Sequence, residues 1–546
     1  MSTMNYWQRF SKQRLSRRKM LAAGAGAAGV AGFALAGCGG GEKENGTNGG
    51  TPGATSEPKR GGVYQQGTTV GALSIDPHTD ITLGAFLVPY IYGYLLHQVE
   101  TYDSGPLLIY DHAESHEQPD ALTYIFNMRK GIHFQNLPPA NGREVVAEDV
   151  IYSFNRITDV QPQPFWTDYV KTMSAPDPYT FRLEIARPYA YTLPDVGGAI
   201  VPREAVEQWG DLKTHGLGSG PFQVKSIAQG SGLELERNTG YHVEGIPYLD
   251  GMNWRIIPDD SSLKASFRAK QLDSYAPPTK IQADEVSGYS SDVVLIKEPD
   301  LTVTQLNIQE VKVPEFHDIR VREAIDIALD RDAMIEKLCF GDGNYTGPVS
   351  WGLEFWSLPQ DELRQHFKRD VNKAKQLLAA ANVTDLTLDL KFRSGPLSDL
   401  CSMIKEQLAE AGITVNLIPM ELGTFVSALV SQDFQLMIGA SIPYPDEKLP
   451  MQFNHTYNWQ RDKSKPSRVQ PEPELDALLE KIFETADVNE RQKLVLEATR
   501  KILDRHGHLL YLFAPYRYRA DWNYLRGLDG ISTQQKTFYY NMWLDK

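Results

Sequence analysis

The stretch Leu122-Thr-Tyr-Ile-Phe-Asn-Met-Arg-Lys-Gly-Ile-His-Phe134, continued by Val146-Ala-Glu-Asp-Val-Ile-Tyr-Ser-Phe-Asn-Arg-Ile157, decides the fold class. Leu122–Met128 alternates in character, the period of a half-buried strand. Arg129-Lys130-Gly131 reads as a turn into a second strand, Ile132-His133-Phe134. A loop with Pro138, Pro139 and Gly142 follows. Ala147–Ile157 then takes helical spacing, with Val150, Ile151, Phe154 and Ile157 on one side. Strand, turn, strand and helix within 40 residues predict a mixed α/β body.

Working outward, the same alternation recurs on both sides. Gly62–Thr69 is extended, and a Pro-containing loop follows at Ile75-Asp76-Pro77-His78. Leu87–Val99 is apolar, helical or buried. Tyr179–Ile185, Leu233–Arg237, Met252–Ile257, Leu386–Phe392, Thr414–Pro419 and Phe434–Ile438 read as strands. Ser261–Ala269, Asn372–Ala381, Leu400–Ala411, Glu474–Ala486 and Asn489–Arg505 read as helices. Arg320–Lys337 is the clearest helix, since Val321, Ala324, Ile325, Ala328 and Leu329 make one apolar stripe. No fixed-period repeat occurs.

A chain of 546 residues exceeds one ordinary domain, so two or more lobes are expected. With 41% hydrophobic and 23% charged residues, it is neither disordered throughout, nor fibrous, nor a polytopic membrane protein. A formal charge of -14 argues against nucleic acid as a partner. Three cysteines exclude a disulfide framework.

Residues 1–37 carry six basic side chains and no acid, and an Ala/Gly-rich apolar run extends from Met20 to about Ala36. That run is too short and glycine-rich for a good spanning helix and has the pattern of a secretory signal. Ser16-Arg17-Arg18-Lys19-Met20-Leu21 resembles a twin-arginine export signal. Leu35-Ala36-Gly37-Cys38 resembles a lipobox, which implies lipidation at Cys38. Residues 38–59 then form a Gly-rich polar linker with too little apolar surface to fold. The expected location is the outer face of the cell membrane, held by acyl chains.

The Leu122–Phe134 and Val146–Ile157 blocks resemble the family-5 extracytoplasmic solute-binding proteins of ABC importers, the peptide/nickel class. Asp177-Pro-Tyr-Thr-Phe-Arg182, Gly218-Ser-Gly-Pro-Phe222, Ser266–Asp273, Arg320–Asp332, Ala374–Ala381 and Ile404–Ile413 continue the likeness in order. The resemblance implies an α/β, two-lobed periplasmic-binding-protein-like fold (type II, cluster C) with an extra inserted subdomain. Lobe I would comprise 60–102, 212–306 and 516–546, the insert 103–211, and lobe II 307–515. It further implies a monomeric receptor that closes on a small solute, peptide-like first, and passes it to permease subunits. An oligosaccharide or chelated nickel is the alternative cargo. A secreted hydrolase and a ligand sensor are the competing classes.

The resemblance also directs attention to Phe434–Asp446. In peptide binders this strand end holds an Asp-Tyr pair whose Asp grips the peptide's amino group. Aligning Gly439 and Tyr444 with that pattern puts Ala440 at an aromatic position and Pro443 at the Asp position. Gly439, Ala440, Ser441, Tyr444 and Asp446 are therefore candidate ligand contacts, with Asp446 as the substitute anchor. Trp351 and Trp356 on a Gly/Pro-punctuated loop, and Trp459 in another loop, can offer ring faces and N–H donors, or can plug a lobe's own core. Thr69 and Val70 follow the first strand, and Asn307 sits at the first crossover; these complete the set.

No Gly-x-Ser-x-Gly elbow, His-Glu-x-x-His helix or phosphate loop occurs, so no enzyme, cofactor or resident metal is expected. His112 and His116 share helical spacing, but their segment reads as a loop. His506 and His508 share a face only if extended. Cys339 and Cys401 are either free thiols or a bridge.

Overall fold

The computed structural model describes residues 57–69, 74–79, 84–101, 105–160, 165–310, 312–395, 397–441, 472–507, 509–528 and 541–546. The N-terminal signal, most of the linker with Cys38, and Val70, Tyr444, Asp446, Trp459 and His508 lie outside them. Among the described residues no helix is long and apolar enough to cross a membrane.

The organising element is a long strand near the C-terminus, β16 (Leu509–Trp522), buried and apolar or aromatic from Leu509 to Ala514 and mostly half-buried, with alternating tyrosines and arginines, from Tyr516 to Arg519. Its first half pairs antiparallel with β11 (Val303–Ile308), with Thr304 opposite Phe513. Its second half pairs antiparallel with β10 (Val293–Pro299), with Pro299 opposite Tyr516 and Val293 opposite Trp522. The segments 293–308 and 509–522 thus form a two-stranded ribbon, the short β12 (Gly343–Asn344) pairs with Pro515 and Ala514 at its middle, and further strands are added beside each half.

Beside the 516–522 half lie β9 (Ser274–Tyr275), β1 (Val63–Thr68), β8 (Gly251–Ile256), β7 (Gly232–Arg237) and β6 (Phe222–Ala228), in that order. Strand β1 runs parallel to β8, with Gln66 opposite Trp254. Helix α2 (Asp260–Arg268) packs Leu263 and Phe267 into a small core with Leu272, Tyr275 and Trp522.

Beside the 509–513 half, β11 pairs with β15 (Leu436–Ser441), followed by β13 (Thr387–Arg393) and β14 (Thr414–Met420). The last two are parallel and are joined by helix α6 (Ser398–Glu410), a βαβ unit. Helices α7 (Pro473–Glu484) and α8 (Val488–Asp504) pack together on this side.

The decisive segment folds as a separate four-stranded antiparallel sheet. Its order is β2 (Ala113–Asp120), β3 (Thr123–Met128), β5 (Thr180–Ile185), β4 (Val170–Asp177). Helix α1 (Ala147–Val160) covers it with Val150, Phe154 and Ile157 buried.

Three expectations need correction. Ile132–Phe134 is not a strand: only His133 bridges to Glu144, while Ile132 and Phe134 plug the core. The segment around His112 and His116 is no loop, because His116 pairs with Phe126 inside β2. Arg320–Lys337 is two helices, α3 (Ile319–Ala328) and α4 (Arg331–Cys339). Leu329 is extended between them (φ -80°, ψ 130°), and the Asp330 carboxylate caps α4 by accepting from the Ala333 N–H. Cys339 and Cys401 are free thiols; burial pushes each up to about 12, so neither is a thiolate near neutrality.

Candidate ligand-binding cavity

A cavity of about 780 Å³ opens where the two wings of the large sheet meet. That volume lies within the range of small-molecule sites. One wall comes from Tyr64 and Gln66 on β1, Trp254 on β8 and the segment from Ser274 to Lys280. The parallel register explains this grouping, since Gln66 stands opposite both Trp254 and Ser274. The facing wall is the end of α4, from Lys337 to Phe340, with Asp342, and the start of α6 at Leu397, Asp399 and Leu400. The floor is β16, from Phe513 to Arg519.

Both signs of charge meet at the floor. Arg517 lies 3.2 Å from Glu298, and Arg519 lies 2.9 Å from Asp521. Lys297 donates to Asp342 at 2.6 Å, and the Tyr518 hydroxyl donates to the other Asp342 oxygen. Burial alone would raise the Asp342 carboxyl, but these two donors outweigh it and hold it below the ordinary carboxylate range. Burial, reinforced by Asp342, pushes the Tyr518 phenol well up, so it stays a donor. Lys337 and Asp399 add one exposed charge of each sign on the facing wall. The Trp254 indole N–H is buried with no hydrogen-bond partner among the described residues, which leaves a donor at the cavity edge.

Phe340 stands out. It is 45% exposed, and its φ of 54° is left-handed, an unusual state for an aromatic residue. It ends α4 where a glycine would be the ordinary choice. Exposed apolar surface and backbone strain coincide at the wall of the cavity.

Of the residues singled out in the sequence, several are brought together. Thr304, a cavity residue, stands opposite Ala440, and Val303 stands opposite Ser441. Gly439 is opposite Gln305, and a Cβ there would meet the Asn307 amide nitrogen at 2.5 Å, so a larger residue would have to displace the Asn307 side chain. Asn307 is buried and donates to the Met437 carbonyl at 3.0 Å, the strand-bracing role open to a crossover Asn. Thr69 is exposed just beyond β1. Trp351 and Trp356 do not reach the cavity. Trp351 donates its N–H to the Ala514 carbonyl at 3.1 Å and packs edge-on against Tyr516, and Trp356 is fully buried beneath Arg491. Both indoles serve the protein interior. Sequence reasoning passed over Trp254, Phe340 and the run Tyr516-Arg-Tyr-Arg519. That last run, cations alternating with aromatics on one strand, was the available signal.

Residues 108–461 match the family described as "Bacterial extracellular solute-binding proteins, family 5 Middle". The chain is 24% identical over 311 residues to the glutathione-binding protein GsiB of Salmonella choleraesuis, covering 56% of this chain and 59% of that relative. It therefore spans about three-fifths of the length of the glutathione-binding relatives. It is 26% identical over 485 residues to the oligopeptide-binding protein AppA of Bacillus subtilis, covering 80% and 83% of the two chains. Among solved structures, the periplasmic binding protein DppA from Helicobacter pylori, in complex with the peptide STSA, superposes with a TM-score of 0.73 at 22% identity, covering 89% of this chain and 99% of that one. The fold is thus that of two-lobed periplasmic binding proteins. With the family match extending over well more than half of its length, the chain belongs to the family-5 bacterial extracellular solute-binding proteins.

Proposed function

We propose that the protein captures a short peptide, or a small solute carrying both charges, in the cavity on β16 and delivers it to the permease of an ABC importer. The observation that carries this reading is the cavity itself: about 780 Å³, aromatic in part, with Arg517, Tyr518 and Arg519 on its floor and Asp342 on the facing wall. A zwitterion exchanges its water for charge-assisted hydrogen bonds there. No bond is made or broken by the chain; binding works by differential affinity for an open and a closed form. Lobe I is read as 60–102, 212–306 and 516–546, the insert as 103–211 and lobe II as 307–515, with the ribbon as the hinge. The strand end Gly439–Ser441, continued by Tyr444 and Asp446, would border the ligand, and Asp446 would meet its amino group. Thr69, Val70 and Trp459 are kept as rim contacts.

The test is calorimetric titration of di-, tri- and tetrapeptides, glutathione, short oligosaccharides and nickel–histidine into the full chain. The expected result is saturable binding of a peptide or peptide-like member, weakened about tenfold or more in Trp254→Ala. Binding of an oligosaccharide alone, or of no member, overturns the peptide reading; hydrolysis of the ligand overturns the receptor reading.

The chain is further read as an exported lipoprotein, on the twin-arginine pattern and the Leu35–Cys38 box. Cys38→Ser should move it from the membrane fraction to the soluble one, and an unchanged distribution would reject the anchor.

A further inference from the structure

We propose that Asp326, His366 and His506 form a site for one divalent transition-metal ion of the zinc class, separate from the ligand cavity. One donor atom from each of the three lies within 4.8 Å of the others, and none of the three lines the cavity. They come from three places: α3, the end of the helix Gln360–His366, and the turn that leads into β16.

Asp326 and His366 each have a charged group from outside the cluster beside them, and His506 is held by Asp326 itself. The Arg331 guanidinium pairs with one Asp326 oxygen and with the Asp326 carbonyl, and it donates to the Tyr511 carbonyl at 2.8 Å. That leaves the other oxygen, Oδ2, turned to the histidines, with His506 Nδ1 at 2.7 Å. His366 has Nδ1 3.7 Å from the Asp504 carboxylate, while its Nε2 is buried without a hydrogen-bond partner among the described residues. A carboxylate on the side of one ring nitrogen, 3.7 Å away and so beyond hydrogen-bond reach, and a bare second nitrogen approach the arrangement of a metal-bound imidazole. His506 sits in the left-handed region (φ 45°), and its carbonyl accepts from Arg322 at 2.9 Å. The two imidazole rings stack with centroids 5.4 Å apart and planes at 16°.

Two imidazoles and one carboxylate are the donor set of zinc sites with an open fourth position. Metal–nitrogen bonds of about 2.0–2.1 Å put neighbouring donors roughly 3.3 Å apart, so the histidines must draw in by about 1.5 Å at most. The His366 side chain is 17% exposed at a helix end and can supply that movement. The alternative is a metal-free hydrogen-bonded cluster, which satisfies His506 but leaves His366 Nε2 bare. A second histidine-rich cluster does not compete. His97, His112 and His242 approach Asp111 at 3.8, 3.3 and 3.4 Å, but among the described residues only the Asp326 group brings three donor atoms within 4.8 Å of one another. A bound ion would staple α3, the 360–366 helix and the base of β16.

The test uses the full chain, stripped with chelator and titrated with zinc chloride by calorimetry and by thermal melting. The expected result is one zinc per chain and a raised melting temperature. His366→Gln and His506→Asn should each lower the affinity by roughly 10- to 100-fold. Asn tolerates the left-handed backbone, so His506→Asn loses only the ring and its bond to Asp326, and each metal-free variant is melted beside the metal-free wild type so that this loss is read separately from zinc affinity. No saturable zinc binding, or equal affinity in wild type and variants, overturns the site. So does an X-ray absorption spectrum of zinc-loaded wild type that lacks two imidazole ligands, whatever the variants do.

Discussion

His78 is a buried imidazole with both ring nitrogens committed. Its Nε2 donates to the Ala199 carbonyl at 2.8 Å, and its Nδ1 lies 2.9 Å from the Arg156 guanidinium, from which it accepts. Arg156 in turn grips the Asp76 carboxylate at 2.8 and 2.5 Å. Protonating His78 would place a second positive hydrogen against Arg156 in a buried site. Burial, with Arg156 adding to it, pulls the ring down to about 4. The folded value is below the unfolded one of about 6.5, so the unfolded chain takes the proton first. The stability contributed by the neutral ring is complete above about pH 6.5 and is lost as pH falls towards 4. Between about pH 7.5 and pH 5 the loss should be about 2 kcal/mol, read as a drop in the urea midpoint. His78→Gln should flatten that part of the profile by a similar amount, and an unchanged slope would reject the assignment. In the sequence, Asp76-Pro-His78 was visible as a loop. Its partner Arg156 is 80 positions away in α1, and nothing local connects the two.

The break between α3 and α4 shows what an element-scale pattern hides. The apolar stripe of Arg320–Lys337 continues across Leu329, which is fully buried, so periodicity alone predicts one helix. In an unbroken helix residues five apart point about 140° away from each other, and Arg331 would miss Asp326. The extended Leu329 turns Arg331 back onto Asp326, and Asp330 restarts the helix as its cap. Asp330→Ala should cost about 1 kcal/mol in a urea melt, the ordinary value of a lost cap. No loss would mean that the Arg331–Asp326 pair alone holds the turn. The Asp was legible as a capping residue type, but a cap signal inside an apolar stripe is outvoted by the stripe. The strands fared better, because alternation sets their extent directly: Thr180–Ile185 and Thr387–Arg393 fall within one residue of expectation at each end. The cavity fared worst. Its walls are drawn from β1, β8, α4, α6 and β16, and Trp351 and Trp356, whose loop allowed either a ring platform or a core plug, pack on Ala514 and Arg491.

At the scale of the molecule, the proposed closure would act at the ribbon. Near its middle, Asp300 donates its N–H to the Pro515 carbonyl at 3.0 Å and accepts from the Thr302 N–H at 2.8 Å. Pro515 has no N–H to give, and the pairing of β11 with β16 shifts register between Thr304 and Gln305. The pairing of 293–308 with β16 is interrupted at this point, while Gly343 and Asn344 pair with Pro515 and Ala514 on the other edge, and small changes in dihedral angles here would swing one wing of the sheet against the other. The cavity walls, Ala276–Lys280 on one side and Lys337–Phe340 on the other, are the surfaces such a swing brings together. Ligand contacting both walls binds the closed form better and must shift the population towards it; if only about 1% of the free protein is closed, the apparent Kd is about 100-fold weaker than the intrinsic one. Solution scattering should therefore show a smaller radius of gyration with saturating ligand than without, and hydrogen exchange should slow at 337–342 and 276–280. Exchange in β13 and β14, which lie away from the ribbon, should be unaffected. A ligand that binds with full occupancy yet changes neither measurement would mean that the cavity is preformed, and Asp300–Thr302 with Pro515 would then be a rigid corner and not a hinge.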